Sequence, residues 1–270
     1  MTRSAMQIWK YAIMAVVMFL YLFPLLNLLN VSLKEPMEFM RNPTALTQSF
    51  HFANYLEAWE RGRFGNYLLN SIVYTFAATV GSLLLALLAA FPISRKYVRG
   101  TSVYYVLFIS GLFLPNGMIP QFQLMLQLGL YDNPLSFILV NLNFFFTFML
   151  MVGYLKSVPT DLDAAASVDG CGYFRFLFSI ILPIIRPVLA TGAIVVSIGV
   201  WNNIISAVIY FSDKKWYPIV LGLFAFYGQY SNEWTVLSAA ILIVAFPLIV
   251  LFVLLQKQFI QGALAGSIKA

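Results

Sequence analysis

Cysteine and histidine are the side chains that most often become nucleophiles or metal ligands, and this sequence holds one of each, Cys171 and His51. A single cysteine forms no internal disulfide, and one His with one Cys falls short of a metal cluster. No G-x-x-x-x-G-K-[ST] run occurs, so ATP is not bound through that phosphate loop. The remaining polar chemistry inside apolar stretches is neutral. Amides stand there at Asn66, Asn70, Asn116, Gln121, Gln123, Gln127, Asn141, Asn143, Asn202 and Asn203. Such groups in hydrocarbon either bond to other helices or line a wet cavity, and spacing alone leaves both readings open. Trp201, Asn202 and Asn203 set an aromatic ring beside two amides, which suits a neutral polyhydroxylated solute. Asn116 stands where Pro115, Gly117 and Pro120 interrupt the backbone, and interrupted backbone at membrane depth lines a cavity or is buried in protein.

Composition says what must carry those amides. Of 270 residues, 61% are hydrophobic and 10% are charged, whereas a soluble domain carries about 25% charged residues. A disordered chain, a disulfide scaffold and a nucleic-acid-binding domain are excluded, and the net charge of +6 needs another explanation. A bilayer core needs roughly 20 apolar residues per helix. Six charge-free stretches qualify, at about 11–33, 65–93, 103–130, 134–155, 188–210 and 235–256. The expectation is an all-α polytopic membrane protein of six transmembrane helices in a single domain over 1–270. The first stretch is too long for a signal peptide and reads as an uncleaved span.

The basic residues explain the charge. With the N-terminus inside, ten of the sixteen Lys and Arg fall on the cytoplasmic side, and the short 95–99 loop holds three of them. The positive-inside rule then places both termini in the cytoplasm. Trp216, Tyr217, Tyr227, Tyr230 and Trp234 read as anchors at the outer interface. The spans carry no charge, whereas ion-coupled carriers keep ionisable groups at mid-membrane depth. An ion-coupled secondary transporter and a membrane-embedded enzyme are therefore the weaker readings.

One inner segment, 157–183, is too long for a turn. Thr160 with Asp163 three residues on makes a capping-box-like start, and Asp161 suits the positive end of a helix dipole. Ala164, Ala165 and Ala166 propagate the helix, and Gly170 can take the left-handed conformation that ends it. A second amphipathic piece, 173–181, offers Phe174, Leu177 and Phe178 to a nonpolar surface before Pro183 and Pro187. The segment reads as a helical hairpin.

That hairpin is similar to the signature of the permease subunits of ATP-binding-cassette importers, the carbohydrate-uptake group that includes the maltose permeases. The family signature runs E-A-A, three residues, G, nine residues, I-x-L-P. Ala165, Ala166, Gly170, Ile180, Leu182 and Pro183 match it, with Asp169 before the glycine. Ala164 stands where the family has Glu, and Asp163 is one residue early, about 100° round the helix. Asn54-Tyr55, Asn70-Ser71, Leu114-Pro115, Leu128-Gly129-Leu130 and Trp201-Asn202 also resemble the sugar-permease pattern.

The resemblance implies a bacterial or archaeal inner-membrane permease. It would pair with a second permease, two ATPase subunits that hold ATP and Mg, and an extracytoplasmic solute-binding protein. This chain would bind no cofactor and would carry a sugar or oligosaccharide, the alternative being a non-sugar solute. The coupling contact with the ATPase would involve Asp163, Ala164, Ala165, Ala166, Ser167, Asp169, Gly170, Leu182 and Pro183, and the solute pathway Asn116, Trp201, Asn202 and Asn203.

Overall fold

The structure, a computed structural model, describes residues 3–115, 117–226 and 233–267. Asn116, Tyr227 and Tyr230 lie outside the described residues. Every regular element among the described residues is helical. In chain order they are α1 (Arg3–Ser32), α2 (Pro36–Arg41), α3 (Ala53–Arg61), α4 (Phe64–Ser94), α5 (Thr101–Ser110), α6 (Met118–Gln127), α7 (Pro134–Val140), α8 (Phe145–Leu155) and α9 (Asp161–Val168). They continue with α10 (Tyr173–Ile184), which contains a π-helical stretch, then α11 (Arg186–Trp201), α12 (Ile204–Tyr210) and α13 (Trp234–Ser267).

Among the described residues, three helices are long and apolar enough to cross a membrane: Trp9–Ser32, Phe64–Ser94 and Trp234–Phe259. Counting each bent helix pair as one span raises the number to as many as five. The expected stretches 134–155 and 188–210 are not continuous helices. The first is α7 and α8, bent by 49°, and the second is α11 and α12, separated at Asn202 and Asn203. The physical reason is local. Asn203 accepts the Ser206 backbone N–H through its side chain at 3.0 Å and so starts a new helix, as an N-cap does. The 103–130 stretch is likewise two helices, α5 and α6, with 111–117 between them.

The chain divides into two compact units. One comprises Met1–Asn66 with Leu221–Phe246. Its polar loop is built round Lys34, which is fully buried and donates through Nζ to the carbonyls of Asn42 and Pro43 at 2.8 and 3.1 Å. Asn54 donates to the carbonyls of Ser32 and Lys34, and the Tyr55 hydroxyl meets Ser32 Oγ at 2.7 Å. The Asn54-Tyr55 pair thus ties α3 to the end of α1. Arg61 bridges Glu57 and Glu233 and lies over the Phe226 ring.

The other unit comprises Tyr67–Val220 with Pro247–Ala270. Its core joins Leu87, Ala90 and Phe91 of α4 to Phe148, Met151 and Leu155 of α8, and then to Ala166, Phe176, Leu177 and Ile181 of the hairpin. Gly192 lets α11 come close to α8, because a Cβ there would meet Thr147 Cγ2 at 2.6 Å. Close backbone approach of this kind is how helices associate where lipid removes the hydrophobic drive. At the other end of α4, Asn70 donates to the carbonyls of Lys215 and Tyr217, Tyr74 donates to Trp216, and Ser71 Oγ accepts the Ile219 N–H. Asn70 and Ser71 therefore fasten the 215–219 segment.

Phe91 is fully buried and meets the rings of Tyr97, Tyr173 and Phe176 at centroid distances of 5.6 to 5.9 Å. Removing it should cost about 3–5 kcal/mol. Thermal unfolding of Phe91→Ala in detergent should therefore shift far more than that of Phe113→Ala, since Phe113 is 82% exposed.

Candidate functional site: a helical hairpin and an amide-lined cavity

The hairpin's first helix, α9, ends where the sequence expects it to. Gly170 has φ +66°, and its N–H bonds to the Ser167 carbonyl while the Cys171 N–H reaches back to Ala166 at 2.8 Å. These two bonds make a Schellman cap. A Cβ on Gly170 would meet nothing within 4 Å, so only the backbone conformation asks for glycine here. Ala164, Ala165, Ser167, Asp169 and Gly170 are exposed, and Val168 is 87% exposed. Ala166 faces the other way, into the core beside Phe91 and Leu177. Leu182 is half-buried and Pro183 exposed. In α10 the buried residues are Phe176, Leu177 and Ile181. Phe174 and Phe178 are exposed on α10 with their rings stacked at 6.5 Å, while Leu177 is buried in the core.

The capping box read from Thr160 and Asp163 does not form, for the Thr160 side chain caps nothing. The Asp163 carboxylate is engaged elsewhere. Its Oδ2 lies 3.1 Å from Arg95 Nη2, and its Oδ1 accepts the Tyr97 hydroxyl. The Arg95 side chain is 3% exposed and that of Asp163 16%. Arg95 Nη1 also donates to the Val158 carbonyl at 2.8 Å, just beyond the C-terminus of α8. Burial, and after it the hydrogen bond to Asp163, pushes the Tyr97 phenol up to about 12, so it stays a proton donor at neutral pH. Sequence reading counted Arg95 only as a loop cation and did not single out Tyr97. The available signal was local: both lie immediately after a long apolar run, where basic and amphipathic side chains can reach back to helix ends.

The second candidate region lies at the helix breaks. Asn203 Nδ2 donates to Asn141 Oδ1 at 2.7 Å, and Asn141 Nδ2 donates to the Phe137 carbonyl at 2.8 Å. One amide pair therefore joins the break between α7 and α8 to the break between α11 and α12. Beside it is a cavity of about 230 Å³ lined by Asn141, Asn143, Thr147, Gly199 and Asn203, among others. A neighbouring cavity of about 370 Å³, bordered by Gly117 and Gln121, shares Asn143 with it. The buried Thr147 hydroxyl has no hydrogen-bond partner among the described residues. Asn202 is exposed and donates to the Ile198 carbonyl of its own helix. Trp201 is buried and borders a different cavity, an apolar one with Phe76, Leu83 and Leu248. Of Trp201, Asn202 and Asn203, the described residues first singled out for the pathway, only Asn203 borders the amide-lined cavity. Asn143 and Thr147 join it at the 49° bend between α7 and α8, which spacing does not reveal.

A family sequence profile described as the inner-membrane component of binding-protein-dependent transport systems matches residues 3–263. The chain belongs to that family. It is thus a permease of the ATP-binding-cassette importer type, a transport component whose ATPase is on separate subunits. The permease is 32% identical over 262 residues to a probable ABC transporter permease, YurM, of Bacillus subtilis (strain 168), covering 94% of this chain and 87% of that one. It is 28% identical over 260 residues to the melibiose/raffinose/stachyose import permease MelC of the same organism, covering 94% of each. Among solved structures it is similar to a chain of a bacterial ABC transporter involved in importing the acidic polysaccharide alginate. There the TM-score is 0.86 at 23% identity, over 96% of this chain and 99% of that one, a likeness of fold.

The hydrogen bonds separate two adjacent asparagines of the permease. Asn203→Ala removes both an N-cap and the bond to Asn141 and should cost about 1–2 kcal/mol. Asn202→Ala should be close to neutral. Paired thermal melts in detergent check this, and equal shifts would refute the assignment.

Proposed function

We propose that this permease forms, with a second homologous permease, the pathway by which a neutral sugar or oligosaccharide enters a bacterial or archaeal cell. Two ATPase subunits drive it, and an extracytoplasmic solute-binding protein delivers the solute. The observation that carries the reading is end-to-end similarity to a permease named for melibiose, raffinose and stachyose, together with a charge-free, amide-lined cavity. Neutral amides and a free hydroxyl can exchange hydrogen bonds with sugar hydroxyls without the desolvation that a charged group would impose. Asn141, Asn143, Thr147 and Asn203 are the residues we assign to that pathway. Asn116, Trp201 and Asn202 remain proposed pathway residues on the strength of their sequence context. Membership of the importer family sets aside an ion-coupled carrier.

In this reading the chain is one permease domain of six spans. The bent pair α7–α8 and the pairs α5–α6 and α11–α12 make up the spans that are not single helices. Both termini lie in the cytoplasm, in keeping with the Lys and Arg distribution. The α9–α10 hairpin is the coupling element. Its exposed face, with Ala164, Ala165, Ser167, Val168 and Asp169, meets an ATPase, while Ala166 and Asp163 hold it to the permease. Gly170, Leu182 and Pro183 set the hairpin's turn and its exit. Alternating access then follows when ATP closes the ATPase pair and the permeases move as bodies about the central site.

Reconstitution tests this directly. Proteoliposomes holding the permease pair and ATPases, supplied with the binding protein, should take up at least one of melibiose, raffinose, stachyose or maltose when ATP is present. They should not take up an uncharged amino acid. A cysteine in Ser167→Cys should cross-link to the ATPase. Uptake of the amino acid alone would overturn the sugar assignment, and a Ser167→Cys cross-link to the binding protein would overturn the orientation.

A further inference from the structure

The hairpin's one inward-facing carboxylate is held by two side chains from a single turn. Lys96 takes a left-handed conformation, φ +55°, and ends α4 with the bonds Lys96 N–H to Ile93 and Tyr97 N–H to Pro92. This is a Schellman cap whose left-handed position holds lysine instead of glycine. The cap puts Arg95 on one side of that residue and Tyr97 on the other, and both reach Asp163. The same guanidinium donates to Val158, beyond α8. Three elements, α4, α8 and α9, therefore meet at one buried cation. On the outward face of α9, Ala164 leaves no acidic group at the position where an inter-subunit carboxylate would stand.

We propose that Arg95, Asp163 and Tyr97 are positioning residues for energy coupling: they lock the hairpin to α4 and α8, so that displacement of α9 by the ATPase moves both helices together. This rests on the reading of α9 as the ATPase-contacting helix. A purely structural pair would behave differently. Removing one partner leaves a buried charge, whereas replacing both with apolar groups of similar volume is often neutral for stability. Stability alone therefore predicts that the apolar pair restores function. Positional locking predicts that it does not, because packing lacks the ion pair between Arg95 and Asp163 and the hydrogen bonds of Tyr97 to Asp163 and of Arg95 to Val158 that fix α9 against both helices.

The test uses the complete reconstituted importer and the sugar that the panel identifies. The combined variant Arg95→Met with Asp163→Leu should melt close to the parent and cross-link through Ser167→Cys to the ATPase as well as the parent. Its uptake per ATP hydrolysed should fall by about 2- to 30-fold, the range seen when residues that touch neither ligand alter coupling. Tyr97→Phe, which keeps the ring beside Phe91 and loses only the hydroxyl, should give a smaller fall with an unchanged melt. It tests the lock even where the combined variant fails to fold. Parent-like uptake per ATP in Tyr97→Phe and in every combined variant that folds would overturn the lock while leaving the docking reading intact. No Ser167→Cys cross-link in the otherwise unaltered permease, or no uptake of any panel sugar, would overturn the underlying reading and the lock with it.

Discussion

A guanidinium cannot shed its proton inside a protein, so once Arg95 leaves water its N–H groups must find acceptors. The structure supplies a hydrogen-bond acceptor in the carbonyl of Val158 just past α8 and an ion-pair partner in the carboxylate of Asp163 in the first turn of α9, while Arg95 Nε has no hydrogen-bond partner among the described residues. That requirement fixes where α9 can lie. A hairpin displaced from this position would strand a charge with 3% exposure, and breaking such a pair is strongly destabilising. The apolar contacts of Phe91, Leu155, Ala166 and Leu177 add adhesion, but they are compatible with some sliding; the ion pair supplies register.

The part of the same unit around the helix breaks solves a different problem. Helices in lipid have little hydrophobic reason to associate, so contact depends on close packing and on amide or hydroxyl bonds. Here Gly192 admits Thr147, Thr79 meets Ser197 at 3.0 Å, and Asn141 meets Asn203. Of these contacts, the bond between Asn141 and Asn203 joins the two helix breaks. Irregular backbone is tolerated at membrane depth where it lines a cavity, and the amides that satisfy the breaks are also those that border the cavity. In the proposed reading, structural bonding and a solute-facing role are therefore shared by neighbouring atoms of the same side chains.

The apolar helices were legible in the sequence because an uninterrupted run such as Phe64–Ser94 leaves few alternatives in a chain with this composition. The turn at Gly170 was legible too, since one residue type answers one backbone conformation. The breaks at 141–144 and 202–203 were not read as breaks. Asparagine within an apolar run fits both a buried helix and a helix boundary, and the partner that decides between them is 62 residues away. Asp163 was misread for a related reason. Its spacing from Thr160 matches a local cap, but far back in the sequence Arg95 offers an ion pair and Tyr97 a charge-assisted hydrogen bond. Lys96 in a left-handed conformation could not be foreseen, because no glycine marks the end of α4.

The central claim is that α9 and α4 move as one body. Electron–electron distance measurement between spin labels at Val168 and at Leu69, both exposed and near opposite ends of that body, reads it directly in the assembled importer. The account predicts one narrow distance that stays the same with and without bound ATP. A shifted or broadened distribution on ATP binding would contradict it, because it would mean that the hairpin moves against the helix to which Arg95 ties it.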